Sequence, residues 1–209
     1  PEFTQIDCEM AFVKVEDILN TFEGLTKYLF NEILQIDLGT FPRMSYDEAM
    51  ESFGNDKPDL RFDLKFVHLE LLRGKGFQVI DQAPYIRGFV VKGLESKFTN
   101  KEINELTEWV KRPQIGAKGL MYIKYTSEGI KSSISKFYSE EDLLFVANEI
   151  GAQAGDVILI LTGEKANVLK QLSELRLEVA RKMDLIPANS FKPLWVVDFP
   201  LLEWSQEEN

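Results

Sequence analysis

Cysteine and histidine are nearly absent from this sequence, which contains one of each in 209 residues. The lone cysteine, Cys8, excludes an intramolecular disulfide bond and is typical of proteins from a reducing compartment. With only Cys8 and His68 available, the chain cannot build a zinc site from His and Cys ligands. The composition therefore excludes disulfide-rich secreted proteins and His/Cys zinc proteins, and we expect a cytoplasmic location.

Long hydrophobic runs are also missing, although 44% of the residues are hydrophobic. No stretch approaches the roughly 18 consecutive apolar residues that a transmembrane helix needs, so we expect no contact with a membrane. The N-terminus has no charged-then-apolar leader and opens in a strand-like pattern, which suggests a piece of a longer protein. A chain of this length can bury about 70% of its unfolded surface in a core.

Positive charge is in short supply, because 24 lysines and arginines face 34 aspartates and glutamates and leave a net charge of −10. This balance argues against attraction of the whole surface to nucleic acid. Residues 97–136 differ from the rest, with eight basic and four acidic side chains. Only this middle region could face a phosphate backbone, and its balance of +4 is weak.

The first twelve residues, PEFTQIDCEMAF, carry the most informative polar pattern in the chain. Side chains of a β-strand alternate between its two faces. A strand here places Gln5, Asp7 and Glu9 on one face, opposite a mostly apolar face made of Thr4, Ile6, Cys8, Met10 and Phe12. Buried unpaired carboxylates are costly, so the polar face must meet water, cations or a ligand. Both a solvated outer face and the floor of a small-molecule site satisfy this requirement.

Hydrophobic spacing and turn residues predict the remaining elements. Helices are predicted from residue 16 to a stop at residues 38–39, and at residues 46–53, 100–110, 139–150 and 165–182. Strands are predicted at residues 77–80, 86–91, 120–125, 157–161 and 194–199. The mixture of strands and helices over residues 62–186 favours a two-layer α+β domain. We also expect residues 3–12 and 194–199 to be neighbouring strands of one sheet, with 194–199 in a central position.

Several blocks of the sequence resemble one enzyme family. The block PEFTQIDCEM is similar to the end of motif 2 in aspartyl-tRNA synthetases of the bacterial type, which belong to class II. Further blocks resemble that family in its order and spacing, namely FPRMSYDEAM (41–50), FGNDKPDLRF (53–62), GAKGL (116–120), KFYSEEDL (136–143), LSELR (172–176) and LWVVDFPLLEW (194–204). The resemblance covers nearly the whole chain, and GNDKPD and WVVDFPLLE are its most specific parts.

This resemblance implies an α+β fold, in which part of a class II antiparallel catalytic sheet is interrupted by a two-layer insertion domain of the GAD type. Residues 1–61 would form a catalytic-domain segment, residues 62–186 the GAD-like insertion, and residues 187–209 the return strand of the catalytic domain. The sequence lacks the motif 2 arginine, the His-His-Pro-Phe loop, the motif 3 strand and the anticodon-binding barrel of the family. We therefore expect a fragment that does not activate aspartate alone.

The reaction implied by the resemblance is attack of the aspartate carboxylate on the α-phosphate of ATP, followed by transfer to the 3′ end of tRNA(Asp). By the same resemblance, Gln5 contacts the adenylate, Asp7 helps to fix the substrate amino group, and Glu9 lies behind it or near a metal ion. Such chemistry depends mainly on positioning and charge compensation. ATP and Mg²⁺ would be bound by the parent enzyme, a homodimer, and not by the fragment alone.

Basic and aromatic residues are interleaved in the middle of the chain. Lys111, Arg112 and Lys118 could contact the acceptor end of tRNA, although lysines on a solvated face produce the same pattern. The alternative function is a non-catalytic tRNA-contacting module of the GAD type, as in a subunit of a tRNA-dependent amidotransferase. The blocks FTQID and WVVDFPLLE are similar to the synthetase core rather than to that module, so they favour the synthetase.

Some single residues are predicted to have structural roles. We expect Arg61 to form a surface ion pair, His68 to be a structural histidine among apolar neighbours, and Cys8 to lie in the core. Ser173 in LSELR stands where the family usually has glycine, which affects a close helix contact at most. The turn at residues 162–165 precedes a helix and could hold an anion, but the phosphate-loop pattern is missing, which favours an ordinary turn.

Overall fold

The computed structural model describes residues 2–202, which fall into two compact units. One unit contains residues up to Arg43 together with Phe191–Trp195, and the other contains Met44–Ser190 and the residues from Val196 onward. The helices of the described residues are α1 (Val15–Leu34), α2 (Tyr46–Phe53), α3 (Gln78–Asp81), α4 (Asn100–Val110), α5 (Glu140–Glu149) and α6 (Lys165–Lys182). The strands are β1 (Arg43–Ser45), β2 (Phe66–His68), β3 (Tyr85–Val91), β4 (Met121–Thr126), β5 (Gly129–Ser132), β6 (Val157–Gly163) and β7 (Trp195–Val197).

The larger unit is built on a five-stranded antiparallel sheet with the strand order β2-β3-β6-β4-β5. Strands β3 and β6 are neighbours along their full length, from Tyr85 opposite Gly163 to Val91 opposite Val157. All seven residues of β3 and the first five of β6 are buried. Strands that are buried on both faces belong in the middle of a covered sheet, and β3 does so although it also contains the charged Arg87.

Each face of this sheet carries its own apolar core. Phe89 and Leu159 pack on one face with apolar residues of α4 and α6, such as Leu106 and Leu172. The opposite face contains Ile158 and other strand residues, packed with residues of α3 and α5. The division follows from the alternation of side chains along each strand. The α+β class expected from the sequence is confirmed, but the two-layer arrangement is not, because helices cover both faces of the sheet.

Polar caps determine where three helices of this unit begin. The side chains of Ser45, Thr99 and Ser139 each accept a hydrogen bond from the backbone N–H three residues further on. This is the usual role of an N-cap hydroxyl, which satisfies a backbone donor that has no partner inside the helix. Asp142 bonds back to the Ser139 backbone and completes a capping box. Helices α2, α4 and α6 span the residues predicted for them.

Two predictions in the larger unit are wrong. Residues 77–80 do not form a strand, because the Phe77 carbonyl accepts hydrogen bonds from the N–H groups of Ile80 and Asp81 and starts α3. His68 is not packed among apolar residues, since 75% of its side chain is exposed at the end of β2. Strands β2 and β5 were not predicted; they have only three and four residues, too few for a clear hydrophobic pattern.

In the smaller unit, α1 ends earlier than predicted. Gln35 adopts a left-handed conformation with φ of 55° and stops the helix before Gly39. No residue of α1 is fully buried. The apolar stripe seen in the sequence packs only in part, with Ile18 and Phe22 half-buried and Ile33 exposed.

The segment from Glu2 to Phe12 forms no strand, so the predicted N-terminal strand is wrong for this structure. All of its residues are exposed, including Cys8, which corrects the prediction that this thiol lies in a core. A strand requires a neighbour that bonds to its backbone. None of the described strands pairs with this segment, and this lack of a partner is the physical reason for the difference.

Strand β7 pairs with β1 in a sheet of two strands. The Trp195 N–H donates to the carbonyl of Pro42 at 2.9 Å, and the indole N–H of Trp195 donates to Glu23 at 3.2 Å. The expected pairing of residues 3–12 with 194–199 is therefore not found, and β7 is half-buried rather than central, because its one described neighbour is β1.

No helix in the described range is long and apolar enough to cross a membrane. The polar tail at residues 205–209, predicted to fray, lies outside the described residues, as do Pro1 and the last two residues of the LWVVDFPLLEW block.

Arg176 of α6 fixes the chain segment that follows α2. Its side chain is buried, with 2% exposure, and its guanidinium donates to the carbonyls of Leu64, Asp59 and Phe62 at 3.1, 2.7 and 3.0 Å. The guanidinium carbon also lies 4.8 and 4.1 Å from the ring centres of Phe53 and Phe62. Burial lowers the pKa of Arg176 to about 10, so the group is still charged at neutral pH.

The same region joins two of the sequence blocks. Gly54, the first residue of GNDKPD, ends α2 with φ of 66°, and a Cβ there would overlap the carbonyl of Leu169 in α6. Only glycine meets both conditions without strain. The surface ion pair predicted for Arg61 is confirmed, with Asp59 as its partner at 2.6 Å. The segment 54–64 is thus held against α6 by a close backbone contact and by the hydrogen bonds of Arg176.

Replacing Arg176 by methionine tests this contact. We expect Arg176→Met to lower the free energy of unfolding by about 3 kcal/mol, because three buried carbonyls lose their donor and each such loss costs about 1 kcal/mol or more. Urea unfolding followed by circular dichroism measures the change. Arg181→Met, on the exposed side of the same helix, is the matched control and should change stability by less than about 0.5 kcal/mol. Equal stability of the two variants would contradict the role assigned to Arg176.

Candidate functional site

The polar residues of the N-terminal segment are presented to solvent in this structure. Gln5, Asp7 and Glu9 are all exposed and lie in backbone without regular structure. Alternation brings the three side chains to one face only when the segment is an extended strand. The grouping expected from the sequence is therefore not formed in this chain by itself, and the roles of the three residues stay predictions.

A metal site is not assembled around Glu9. Mg²⁺ favours near-octahedral sets of oxygen ligands, usually one or two carboxylates with water and phosphate oxygens. No group of three or more His, Cys, Asp or Glu side chains in residues 2–202 could hold a metal ion. Gln5 and Asp7 are likewise not held in one orientation by neighbouring strands. By itself, this segment does not fit a bound nucleotide or its metal ion.

The basic residues predicted to contact tRNA lie at and beyond the end of α4. Lys111, Arg112 and Lys118 are exposed. Lys111 follows the last residue of α4 and pairs with Glu108 at 2.8 Å. Lys118 belongs to the GAKGL block and lies in a different groove from Arg112. Gly116 and Ala117 donate backbone hydrogen bonds to the carbonyls of Arg112 and Val110, so the chain before Lys118 runs beside the end of α4, although Lys118 itself lines the other groove.

An open groove between α4 and α6 contains Arg112 and has a volume of about 1020 Å³. Its lining combines Trp109 and Asn104 with three basic and three acidic side chains, which are Lys101, Arg112, Lys182, Glu105, Glu108 and Glu178. Lys182 is occupied by hydrogen bonds to Glu102 and Glu105 at 2.7 and 2.9 Å. Equal numbers of both charges argue against a site for a phosphate backbone in this groove.

A second groove of about 510 Å³ lies where α3, the GAKGL block and the start of α6 meet. Four carboxamide side chains contribute to its lining, namely Gln78, Gln82, Asn167 and Gln171. The charged residues of the lining are Lys118 and Glu164, one of each sign. The sequence gives no signal for this groove, since its residues come from separate parts of the chain and no motif joins them.

A network of paired charges joins α2, β3 and α6. The Tyr85 hydroxyl donates to Glu51 at 2.9 Å, and Lys165 forms an ion pair with the same carboxylate. The guanidinium of Arg87 lies 4.2 Å from the Tyr85 ring centre and pairs with Glu70. Among the buried side-chain atoms described, Nε of Arg87 lacks a hydrogen-bond partner. Because its charges are matched, the network stabilises the fold and does not point to a reactive group.

The pKa values in this network follow from burial and pairing. Burial, together with the hydrogen bond to Glu51, raises the pKa of Tyr85 to about 12. Burial would also raise the pKa of Glu51, but hydrogen bonds from Lys165 and Tyr85 outweigh it and hold that pKa below its usual value. At neutral pH, Tyr85 is therefore a hydrogen-bond donor and Glu51 a carboxylate.

Comparison with known proteins gives one consistent result. The family model described as tRNA synthetases class II (D, K and N) matches residues 1–208. The chain is 52% identical over 212 residues to the aspartate–tRNA ligase of Bacteroides fragilis, 51% identical over 211 residues to that of Porphyromonas gingivalis, and 50% identical over 209 residues to that of Flavobacterium psychrophilum. These matches cover 100%, 99% and 99% of the chain. The chain spans 36% of the length of each of these relatives.

The match to the family model extends from the first block to the last, through both the N-terminal PEFTQIDCEM and the WVVDFPLLE region. The family resemblance inferred from the sequence blocks is therefore confirmed. Because the model spans almost the whole chain, the chain belongs to the class II tRNA synthetase family of the D, K and N type.

Proposed function

We propose that this chain contributes to an aspartate–tRNA ligase, which activates aspartate with ATP and transfers it to the 3′ end of tRNA(Asp). The observation that carries the proposal is about 50% identity along the whole chain to several proteins of that name. The matched region includes FTQID and WVVDFPLLE as well as the five-stranded sheet, which favours the synthetase over a non-catalytic amidotransferase module. Use of ATP with Mg²⁺, a homodimeric parent enzyme and a cytoplasmic location belong to the same proposal.

The domain boundaries form part of this proposal. Residues 62–186 are the insertion, and residues 1–61 and 187–209 belong to the catalytic body. Support comes from the sheet order, because all five strands from β2 to β6 lie between residues 66 and 163, and α6 ends at Lys182. This part of the chain completes its own sheet, as expected for an inserted domain.

The substrate-binding roles proposed for Gln5, Asp7 and Glu9 come from the family resemblance, and strand geometry is compatible with them. When a neighbouring strand of the full enzyme pairs with this segment, its period of two places all three side chains on one face. An acidic face of this kind can hold the ammonium group of aspartate and keep its carboxylate oriented. In this proposal Gln5 contacts the adenylate, Asp7 fixes the amino group, and Glu9 lies behind it or near Mg²⁺. The exposure of all three side chains leaves them available for these contacts.

The role of Asp7 is tested in the full-length enzyme. We expect Asp7→Asn to lower aspartate-dependent ATP–pyrophosphate exchange by about 100-fold, because the charge that orients the substrate ammonium group is lost. The Michaelis constant for aspartate should rise more than that for ATP. Glu2→Gln is the matched control. Glu2 is an exposed acid of the same segment, and in a strand its side chain would point to the face opposite Asp7. Exchange that is unchanged in Asp7→Asn would refute the assignment.

The contact of Lys111, Arg112 and Lys118 with tRNA is tested by its dependence on salt. Each phosphate contact that is lost should reduce the slope of log affinity against log salt by about one unit. We therefore expect a smaller slope when all three residues are replaced by glutamine, measured by titration of the 209-residue chain with tRNA(Asp) at about 50 and 200 mM salt.

The control for this titration changes the same amount of charge elsewhere in the basic region. Lys97, Lys131 and Lys136 are also exposed lysines, and their replacement by glutamine should leave the slope close to that of the unaltered chain. If both triple variants reduce the slope equally, the three proposed residues have no specific role in tRNA contact.

A further inference from the structure

The groove beside α3 and the start of α6 combines features of a recognition site. Gln78 and Gln82 are four residues apart along α3 and its end, and Asn167 and Gln171 are four residues apart on α6. Side chains at this spacing lie on the same side of a helix. Two pairs of carboxamides, from elements far apart in the sequence, therefore line one groove of about 510 Å³.

The wall formed by α3 is held in place without these carboxamides. Arg73 donates to the carbonyls of Ile80, Asp81 and Ala83 at 3.0, 3.2 and 2.6 Å. The Asp81 carboxylate accepts hydrogen bonds from the N–H groups of Gly74 and Gly76 at 2.8 and 2.9 Å. These bonds fix the helix end, so the fold of α3 does not need the amides of its two glutamines.

The GAKGL block forms the floor beside α6. Gly116 has φ of 76°, and a Cβ at this position would lie 4.0 Å from the amide nitrogen of Gln171. The backbone therefore runs close to this amide. Across the groove, Val79, Ala83 and Pro84 add an apolar surface, and 54% of Val79 is exposed.

The lining selects for a planar and nearly uncharged group. A carboxamide offers both a donor and an acceptor, which is the set that glutamine and asparagine use to bind base edges. The apolar side chains can lie against the face of a ring, and the single Lys118 is balanced by Glu164. A run of phosphates is excluded by this balance, while an unstacked base with one adjoining phosphate fits it.

We propose that this groove binds an unstacked nucleobase of single-stranded RNA, with Asn167 and Gln171 on one side and Gln78 and Gln82 on the other. The identification of RNA as the source of the base rests on the proposed function, whose tRNA substrate ends in unpaired nucleotides. The volume lies within the range of small-ligand sites, about 300–1,000 Å³.

The test uses the 209-residue chain and a stem–loop RNA that carries four unpaired nucleotides at its 3′ end. The same stem with a blunt end is the comparison RNA. Fluorescence anisotropy should show that the tailed RNA binds about tenfold more tightly than the blunt one. In the double variant Asn167→Leu/Gln171→Leu this preference should disappear, because two hydrogen-bonding groups are lost.

The matched control is Asn104→Leu/Asn148→Leu, which changes two exposed asparagines on α4 and α5 and should keep the preference for the tailed RNA. Circular dichroism verifies that both double variants are folded. Competition with cytidine or adenosine monophosphate distinguishes a site for a base within RNA from a site for a free nucleotide. Displacement of the tailed RNA by a monophosphate identifies a site that also takes free nucleotides. Equal binding of tailed and blunt RNA by the unaltered chain would overturn the proposal, as would a preference that survives in Asn167→Leu/Gln171→Leu.

This binding assay contains no aspartate and no ATP, and it does not depend on the identity of the tRNA. Its failure would leave the proposed activation of aspartate untouched. Conversely, a full-length Asp7→Asn enzyme with normal pyrophosphate exchange would leave the nucleobase groove untouched.

Discussion

The backbone of a β-strand must find hydrogen bonds on a neighbouring strand, and this requirement separates the ordered sheet from the exposed N-terminal segment. Strands β3 and β6 meet it inside the chain, where seven residue pairs lie opposite each other and β2 and β4 pair with parts of their outer sides. Residues 2–12 have a comparable alternation of side chains but no paired strand within residues 2–202. The same residues therefore carry a clear motif and yet do not assemble a site by themselves.

Structural features that depend on interactions within a few residues were predicted well from the sequence. The caps at Ser45 and Thr99 bond to the next turn of their own helices, so the starts of α2 and α4 depend on local chemistry alone. The apolar runs at residues 86–91 and 157–161 also predicted strands correctly, but the run at 194–199 was wrongly expected to be central, so such a run does not by itself give a strand's position in a sheet. The strand predicted at residues 77–80 was wrong because a short apolar run fits a strand and a helical turn equally well. The hydrogen bonds to the Phe77 carbonyl decide in favour of the helical turn.

The candidate sites show the same limit. Gln5, Asp7 and Glu9 could be proposed as site residues because they occupy one short motif. The groove with Gln78 and Asn167 could not, since its lining depends on how α3 and α6 are placed by a sheet that joins distant segments. A carboxamide pair on one helix is common on any surface and gives no signal until a second pair faces the same space. For that reason sequence motifs can reveal sites built on one strand or loop, but they miss sites built between helices.

Arg176 explains why blocks more than a hundred residues apart belong to one structural unit. It bonds to three backbone carbonyls between Asp59 and Leu64, so it requires a particular path of the chain there and not particular side chains. Gly54 adds a second requirement, since only a residue without a side chain permits the contact with Leu169. Packing therefore explains the residues of the GNDKPD and LSELR blocks, since their contacts are made within the described residues. The alternation of PEFTQIDCEM has no paired strand among residues 2–202, so the structure explains the two packed blocks and leaves the role of this segment a prediction.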